Sequence, residues 1–149
     1  MLLPATKDPT TAPTMMMRLV AHPGVRAAPI ERIRTVFYGG APMYLENLKE
    51  ALSVLGPRLW QGYGQGETPN TITCMSKAMH VDDGHPRFEL RLASVGVART
   101  GVEVRLVDDA GIDVPTGEIG EIVCRSDVTM RDYWNNPTAT ASALRDGWL

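Results

Sequence analysis

The 149 residues hold 15 Lys and Arg against 17 Asp and Glu, a formal net charge of −2, and 44% of them are apolar. That is enough chain for one domain. It offers neither the concentrated positive charge that a non-specific grip on nucleic acid requires nor the run of about 18 apolar residues that a membrane span requires. With 14 glycines and 11 prolines, much of the chain is turn and loop, which excludes a helical bundle. Two cysteines, Cys74 and Cys124, are too few for a disulfide framework. The first residues lack the basic start and apolar core of a leader peptide. The expectation is a reduced, soluble, cytoplasmic protein with both cysteines buried and structural.

In chain order, Pro4, Pro9 and Pro13 keep residues 1–14 out of a helix. Thr14 is placed to cap a short helix through Met15, Met16, Met17 and on to His22, where Pro23-Gly24 ends it. The methionines read as core filler. Arg34–Tyr38, rich in β-branched and aromatic residues, predicts a strand that runs into Gly39-Gly40-Ala41-Pro42. A helix is expected from near Pro42, because Leu45, Leu48, Leu52 and Leu55 recur on one face; Gly56-Pro57 stops it. Arg58–Gly62 predicts a second strand. Strand, glycine turn, helix and strand make a βαβ-like unit whose ligand side lies at the strand ends, and the second strand delivers Tyr63–Thr68 to that same edge.

The pattern changes after residue 75. Ser76–Arg87, with His80, Asp82, Asp83 and His85, predicts a solvated loop whose ligands sit on no rigid element, which argues against a metal site. Gly101–Val107 alternates with period two, and Glu118–Arg125 follows the turn Pro115-Thr116-Gly117; both predict antiparallel strands of a half-open sheet or small barrel. Asn136 and Pro137 start a last helix, as cap and first residue, with Asp146-Gly147 after it. The expected fold is α/β: a βαβ-like piece over 1–75, then a β-rich, barrel-like piece with a terminal helix over 76–149. Two apolar residues after the final turn, Trp148 and Leu149, read as a chain cut short.

Gly39-Gly40-Ala41-Pro42 exposes backbone to a flat ligand, and amides of the following helix would point at polar or anionic atoms. It is not a dinucleotide fingerprint, and the lysine-bearing phosphate loop is absent. Tyr63 offers a flat face for a ring, and Gly64 and Gly66 let backbone come close. Glu67 is either a surface or cap carboxylate, or one that holds Mg²⁺ against a phosphate. Ser53 and Ser94 stand outside any nucleophile elbow, and the histidines and cysteines form no spaced nucleophilic pair, which argues against a hydrolytic triad.

These residues resemble the adenylate-forming acyl-CoA synthetases, the AMP-binding family of ligases. Gly39-Gly40-Ala41-Pro42-Met43 resembles the family's G-G-A-P loop, and Gln61–Glu67 its Q-G-Y-G-x-T-E motif. Gly117–Ile122 is similar to G-E-x-G-E-I, and Met130 through Asp132-Tyr133-Trp134-Asn135-Asn136-Pro137 to Thr140, then Asp146-Gly147-Trp148, is similar to M-x-G-Y-W-N-x-P-x-x-T followed by D-G-W. The resemblance covers residues 34–149 and leans toward fatty-acid and other carboxylic-acid CoA ligases; upstream, Leu2-Leu3-Pro4 and Lys7-Asp8-Pro9 resemble a strand and turn.

The resemblance implies a piece of the large N-terminal domain of such an enzyme. It implies a reaction in which a carboxylate attacks the α-phosphate of ATP, giving acyl-adenylate and pyrophosphate, after which the coenzyme A thiolate displaces AMP. Gly40, Ala41 and Pro42 would border adenine, Tyr63 would pack on the base, and Gly62 would face the acyl group. Gly64, Gln65 and Gly66 would complete the loop, with Glu67 as the catalytic and Mg²⁺-binding carboxylate. Two departures stand out. Gly66 occupies the place of the family's threonine, and losing such a phosphate-contacting hydroxyl costs up to about 4 kcal/mol. Asp132 replaces a glycine, which predicts a small conformational adjustment. The family's phosphate loop, ribose-binding aspartate and adenylation lysine are not among these residues, so the isolated chain is expected to be inactive. A nucleotide-binding module, a module completed by a partner, or a vestigial fragment without catalysis are the competing readings. An exposed strand edge would let two copies pair.

Overall fold

The computed structural model describes residues 8–149; the resemblance at Leu2-Leu3-Pro4 and Lys7 lies outside the described residues, as does Pro4. A two-residue strand, β1 (Thr10–Thr11), precedes the first helix, α1 (Pro13–Val20). Thr14 does not cap it. Ala12, in extended conformation, takes the cap position, and Pro13 fills the first turn, where a missing N–H costs nothing. Of the three methionines Met16 is wholly buried, whereas Met15 is 61% exposed.

The expected βαβ unit is present. Strand β2 (Val36–Gly39) leads through an open turn into α2 (Leu45–Leu55), and β3 (Leu59–Gln65) returns parallel to β2. Helix α2 starts at Leu45 and not near Pro42, because Tyr44 is still extended (ψ 147°) and no side chain caps an earlier turn. Its far end is closed twice. Gly56, at φ +65°, donates its N–H to the Leu52 carbonyl, and the Arg58 guanidinium reaches the Leu55 carbonyl at 2.7 Å. Leu48, Ala51 and Leu55 of α2 are buried in one cluster with Val36 and Tyr38 of β2, Leu59 of β3 and Met16 of α1. On the other side of the sheet Phe37 and Trp60 stack with centroids 5.2 Å apart.

Strand β4 (Thr68–Met75) was hidden in the sequence by Pro69 and Asn70. A five-residue helix, α3 (Phe88–Leu92), and β5 (Val97–Ala98) follow, giving the sheet order β1-β2-β3-β4-β5. The expected solvated loop at Ser76–Arg87 needs one correction. Val81–Arg87 are exposed, but His80 sits on a 3₁₀ turn (Ala78–His80) and is 2% exposed.

The remaining elements are β6 (Glu103–Val107), β7 (Glu121–Arg125) and α4 (Pro137–Ala143). β6 and β7 pair antiparallel, and among the described residues this ribbon does not close into a barrel. Leu149 adds to it by exchanging both backbone hydrogen bonds with Cys124 (2.8 and 2.9 Å). Trp148 lies under two guanidinium groups, Arg105 and Arg125, at 5.0 and 4.7 Å from its centroid. Asn136 caps α4 as expected, its Oδ1 accepting from Ala139 N at 3.1 Å, with Pro137 in the first turn. Both cysteines are free; Cys124 is buried and Cys74 half-buried.

The chain divides into two units that interleave, and their boundaries differ from a split at residue 75. One holds residues up to Tyr63 together with Thr73–Val97; the other holds Gly64–Ile72 and Ala98–Leu149. The strands β3 and β4 each begin in one unit and end in the other.

Truncating Leu48, 1% exposed under α2, to alanine is expected to cost about 2–5 kcal/mol in chemical denaturation. Glu46→Ala on the exposed face of the same helix should stay within about 0.5 kcal/mol.

Candidate functional site

Two stretches of the expected site leave neighbouring strands side by side. In the parallel register Tyr38 faces Gln61 and Gly39 faces Gly62, so Gly40 and Tyr63 are the next residues along adjacent strands. Gly40 takes φ +78°, a conformation that L side chains rarely adopt, and a Cβ there would meet nothing within 4 Å. Ala41 and Pro42 are exposed with it, and Tyr63 is half-buried. Because α2 starts only at Leu45, the exposed groups at Gly40–Pro42 belong to the turn and not to a helix end. Gly62 is buried, and its missing side chain makes room for Phe37, whose Cζ would lie 2.7 Å from a Cβ.

The other stretch, Gly64–Glu67, belongs to the second unit. β3 runs through Gly64 and Gln65, and Gly66-Glu67 form the tight turn into β4. The two glycines have different reasons. A Cβ on Gly64 would lie 2.4 Å from the Thr68 carbonyl oxygen and 2.6 Å from Asn70 N, so this glycine exists for the close return of its own hairpin. Gly66 has a φ outside the left-handed region, and a Cβ there would meet nothing within 4 Å. Its backbone and surroundings would accept the threonine that the resembling family carries there.

Glu67 is the best-held residue of the site. The Tyr133 hydroxyl donates to its Oε1 at 2.5 Å, and Met130 N donates to its carbonyl at 2.7 Å. The Tyr133 hydrogen bond, and next a backbone hydrogen bond of Glu67 itself, hold the carboxyl below the usual carboxylate range; the same contact pushes the Tyr133 phenol up. Tyr133 is fixed in turn, since its N–H donates to Thr140 Oγ1 at 2.9 Å, and that hydroxyl donates to the Asn136 carbonyl at 2.9 Å. The spacing of Met130, Tyr133, Asn136 and Thr140 is thus a scaffold for one carboxylate. The sequence motif that holds these residues gave Tyr133 no role, and nothing in consecutive residues links it to Glu67, 66 positions earlier.

Asp132 causes no strain at the place of the family's glycine. It is not among the residues with positive φ, a conformation that falls to Asn135 (φ 49°) instead, and its carboxylate pairs with Arg131 at 2.7 Å. Among the described residues no group of three or more His, Cys, Asp or Glu is gathered to hold a metal ion. Glu67 alone suits the way Mg²⁺ is usually held, by one or two carboxylates completed by phosphates and water. It is ionised at neutral pH and mounted on a fixed turn.

The sequence profile of the family described as AMP-binding enzyme matches residues 9–134. The chain belongs to that family. It is 35% identical to a medium/long-chain fatty-acid–CoA ligase of Mycobacterium tuberculosis, a match covering 92% of this chain and 23% of the relative. It is 38% identical to a feruloyl-CoA synthase of an Amycolatopsis species, covering 92% and 26%. The amide bond synthetase of Marinactinospora thermotolerans superimposes with a TM-score of 0.83 at 32% identity, over 95% of this chain and 27% of that one. The chain therefore spans about a quarter of the length of these curated relatives. Its α/β fold is that of part of the N-terminal domain of adenylate-forming ligases. No helix among the described residues is long and apolar enough to cross a membrane.

Gly64→Ala is expected to destabilise the hairpin by about 1–3 kcal/mol through backbone overlap, whereas Gly66→Ala should be neutral or stabilise by up to about 1 kcal/mol. Thermal denaturation of the pair reads the difference. Tyr133→Phe should raise the Glu67 titration toward the ordinary glutamate range, measured by carbon-detected NMR of the carboxyl groups.

Proposed function

We propose that this chain forms one wall of the adenylate site of an AMP-forming carboxylic acid–CoA ligase, acting in the cytoplasm on a fatty or other carboxylic acid with ATP and coenzyme A. The observation that carries the reading is the Gly39–Gly62 register, which sets the turn at Gly40–Pro42 beside Tyr63 at one sheet edge. That edge offers backbone donors and acceptors to the rim of a purine and a phenol ring to its face. In this reading Gly40, Ala41 and Pro42 border adenine and Tyr63 packs on it. Gly62 borders the acyl group, with Phe37 filling the space that its missing Cβ leaves. Gly64, Gln65 and Gly66 bring the chain to Glu67.

Glu67 is the residue that would hold Mg²⁺. Bound there, the ion would offset the charge that grows on the α-phosphate as the acid's carboxylate attacks and pyrophosphate leaves. Tyr133 serves that task by keeping the carboxyl ionised and aimed. It does so with a hydrogen bond and without a competing positive charge, so the negative charge of Glu67 stays available. Two of the named relatives act on different acids, a fatty acid and ferulate, and the residues assigned here other than Gly62 serve the nucleotide half, which such enzymes would share.

Calorimetric titration of the 149-residue chain with AMP tests the reading. Weak binding that is lost in Tyr63→Ala but kept in Glu46→Ala is the expected result, and no heat at millimolar AMP would overturn it. Acid-dependent exchange of labelled pyrophosphate into ATP is expected to be absent from these residues alone, and its appearance would show that they hold a whole site and not one wall.

A further inference from the structure

The first unit buries a polar chain that the proposed site does not use. Tyr38, wholly buried on β2, has its hydroxyl 2.9 Å from His80 Nε2, and His80 Nδ1 lies 2.7 Å from the Ser76 carbonyl. A carbonyl only accepts, so Nδ1 carries the proton of the neutral ring, and Nε2 is left to accept from the Tyr38 hydroxyl. Each polar atom is satisfied in this one tautomer. The chain ties β2 to the residue that follows β4, and Tyr38 is the last side chain before the glycine pair that opens the Gly40–Pro42 turn.

We propose that Tyr38, His80 and Ser76 form a pH-sensitive latch, which fixes the end of β2 and the turn beyond it while His80 is neutral and releases them when His80 takes up a proton. A second proton would turn Nε2 into a donor, so that the phenol could keep the contact only by giving up its own donation and accepting, and would enclose a cation between a neutral hydroxyl and a carbonyl. The charged groups around it do not compensate. From α3, Arg91 donates to the carbonyls of Met79 and Val81 on either side of His80, and its partner carboxylate, Asp83, is drawn down to about 2 by that guanidinium. Lys77, on the same turn as His80, reaches the Arg34 carbonyl and the Thr35 hydroxyl. Glu89 of α3 is paired with Lys49 of α2. Burial accordingly holds the His80 ring below the ordinary histidine range, and the bond to Ser76 offsets only part of this.

The sign follows from the depressed ionisation. The latch is at full strength above about pH 6.5, the ordinary histidine value, and weakens as pH falls, because the opened state binds a proton that the closed state resists. Amide hydrogen exchange on the whole chain tests this, with rates corrected for the intrinsic effect of pH. Protection at Val36–Gly40 is expected to fall by up to about tenfold per pH unit below 6.5, while Leu48–Leu55 of α2 change less, and His80→Gln should remove the dependence. A pH-independent wild type, or a fall that persists in His80→Gln, would overturn the latch. Should His80→Gln not fold, NMR titration of the wild-type imidazoles decides. His80 titrating at or above the ordinary histidine value would overturn the proposal, and His80 titrating below it together with a shift of the Val36–Gly40 amides would support it. This device concerns the order of β2 and holds or fails independently of whether AMP binds.

Discussion

The parallel pairing of β2 with β3 under α2 is the constraint from which the first unit follows. A parallel pair needs a crossover, and its strands are stable only when a helix covers them. Here Leu48, Ala51 and Leu55 do the covering, and Val36, Tyr38 and Leu59 are what they cover. Once those side chains interlock, the register is no longer free, since a slip by one residue would turn Tyr38 outward and Phe37 inward. The adjacency of Gly39 and Gly62 is therefore a by-product of core packing. The turn at Gly40–Pro42 ends up beside Gly62 and Tyr63 because apolar side chains behind them fit in one way only.

The second unit solves a different problem with different means. It has few fully buried apolar residues, Ile72, Val107 and Cys124 among them, and relies on hydrogen-bonded and stacked groups. Trp148 under Arg105 and Arg125, the Leu149–Cys124 pair and the series Glu67, Tyr133, Thr140, Asn136 are local fixings. Such fixings orient single groups well and contribute modestly to stability. A carboxylate that must present its charge to a ligand gains from this kind of support, because a hydroxyl donor steadies it without neutralising it.

What could be read from the sequence, and what could not, follows the range of the interactions involved. Helix α2 and the cap of α4 were legible because leucine spacing and an Asn-Pro pair are written in consecutive residues. The adjacency of Gly39 and Gly62 was legible because a strand–helix–strand order allows little else; that β3 runs on through Gln65 before it turns was not. β4 was not, since Pro69 and Asn70 look like a turn and only the neighbouring strand makes Thr68–Met75 extended. His80 was misplaced for a related reason: Asp82, Asp83 and His85 made the whole stretch look solvated, while its burial comes from Tyr38, 42 positions earlier. At the site, Glu67 could be singled out but its support could not, because Tyr133 is 66 positions away. The close approach expected at Gly64 is present, and the backbone that comes close is that of the returning strand.

The interleaving of the two units carries a consequence for how the molecule can be taken apart. The chain passes from one to the other between Tyr63 and Gly64, again between Ile72 and Thr73, and a third time between Val97 and Ala98. Neither unit is a continuous stretch of polypeptide. No single cut yields both as intact peptides, and a boundary drawn at any of the three crossings falls inside a strand, β3, β4 or β5. For dissection or fusion, each unit has to be taken as its separate segments, since β3 and β4 contribute residues to both.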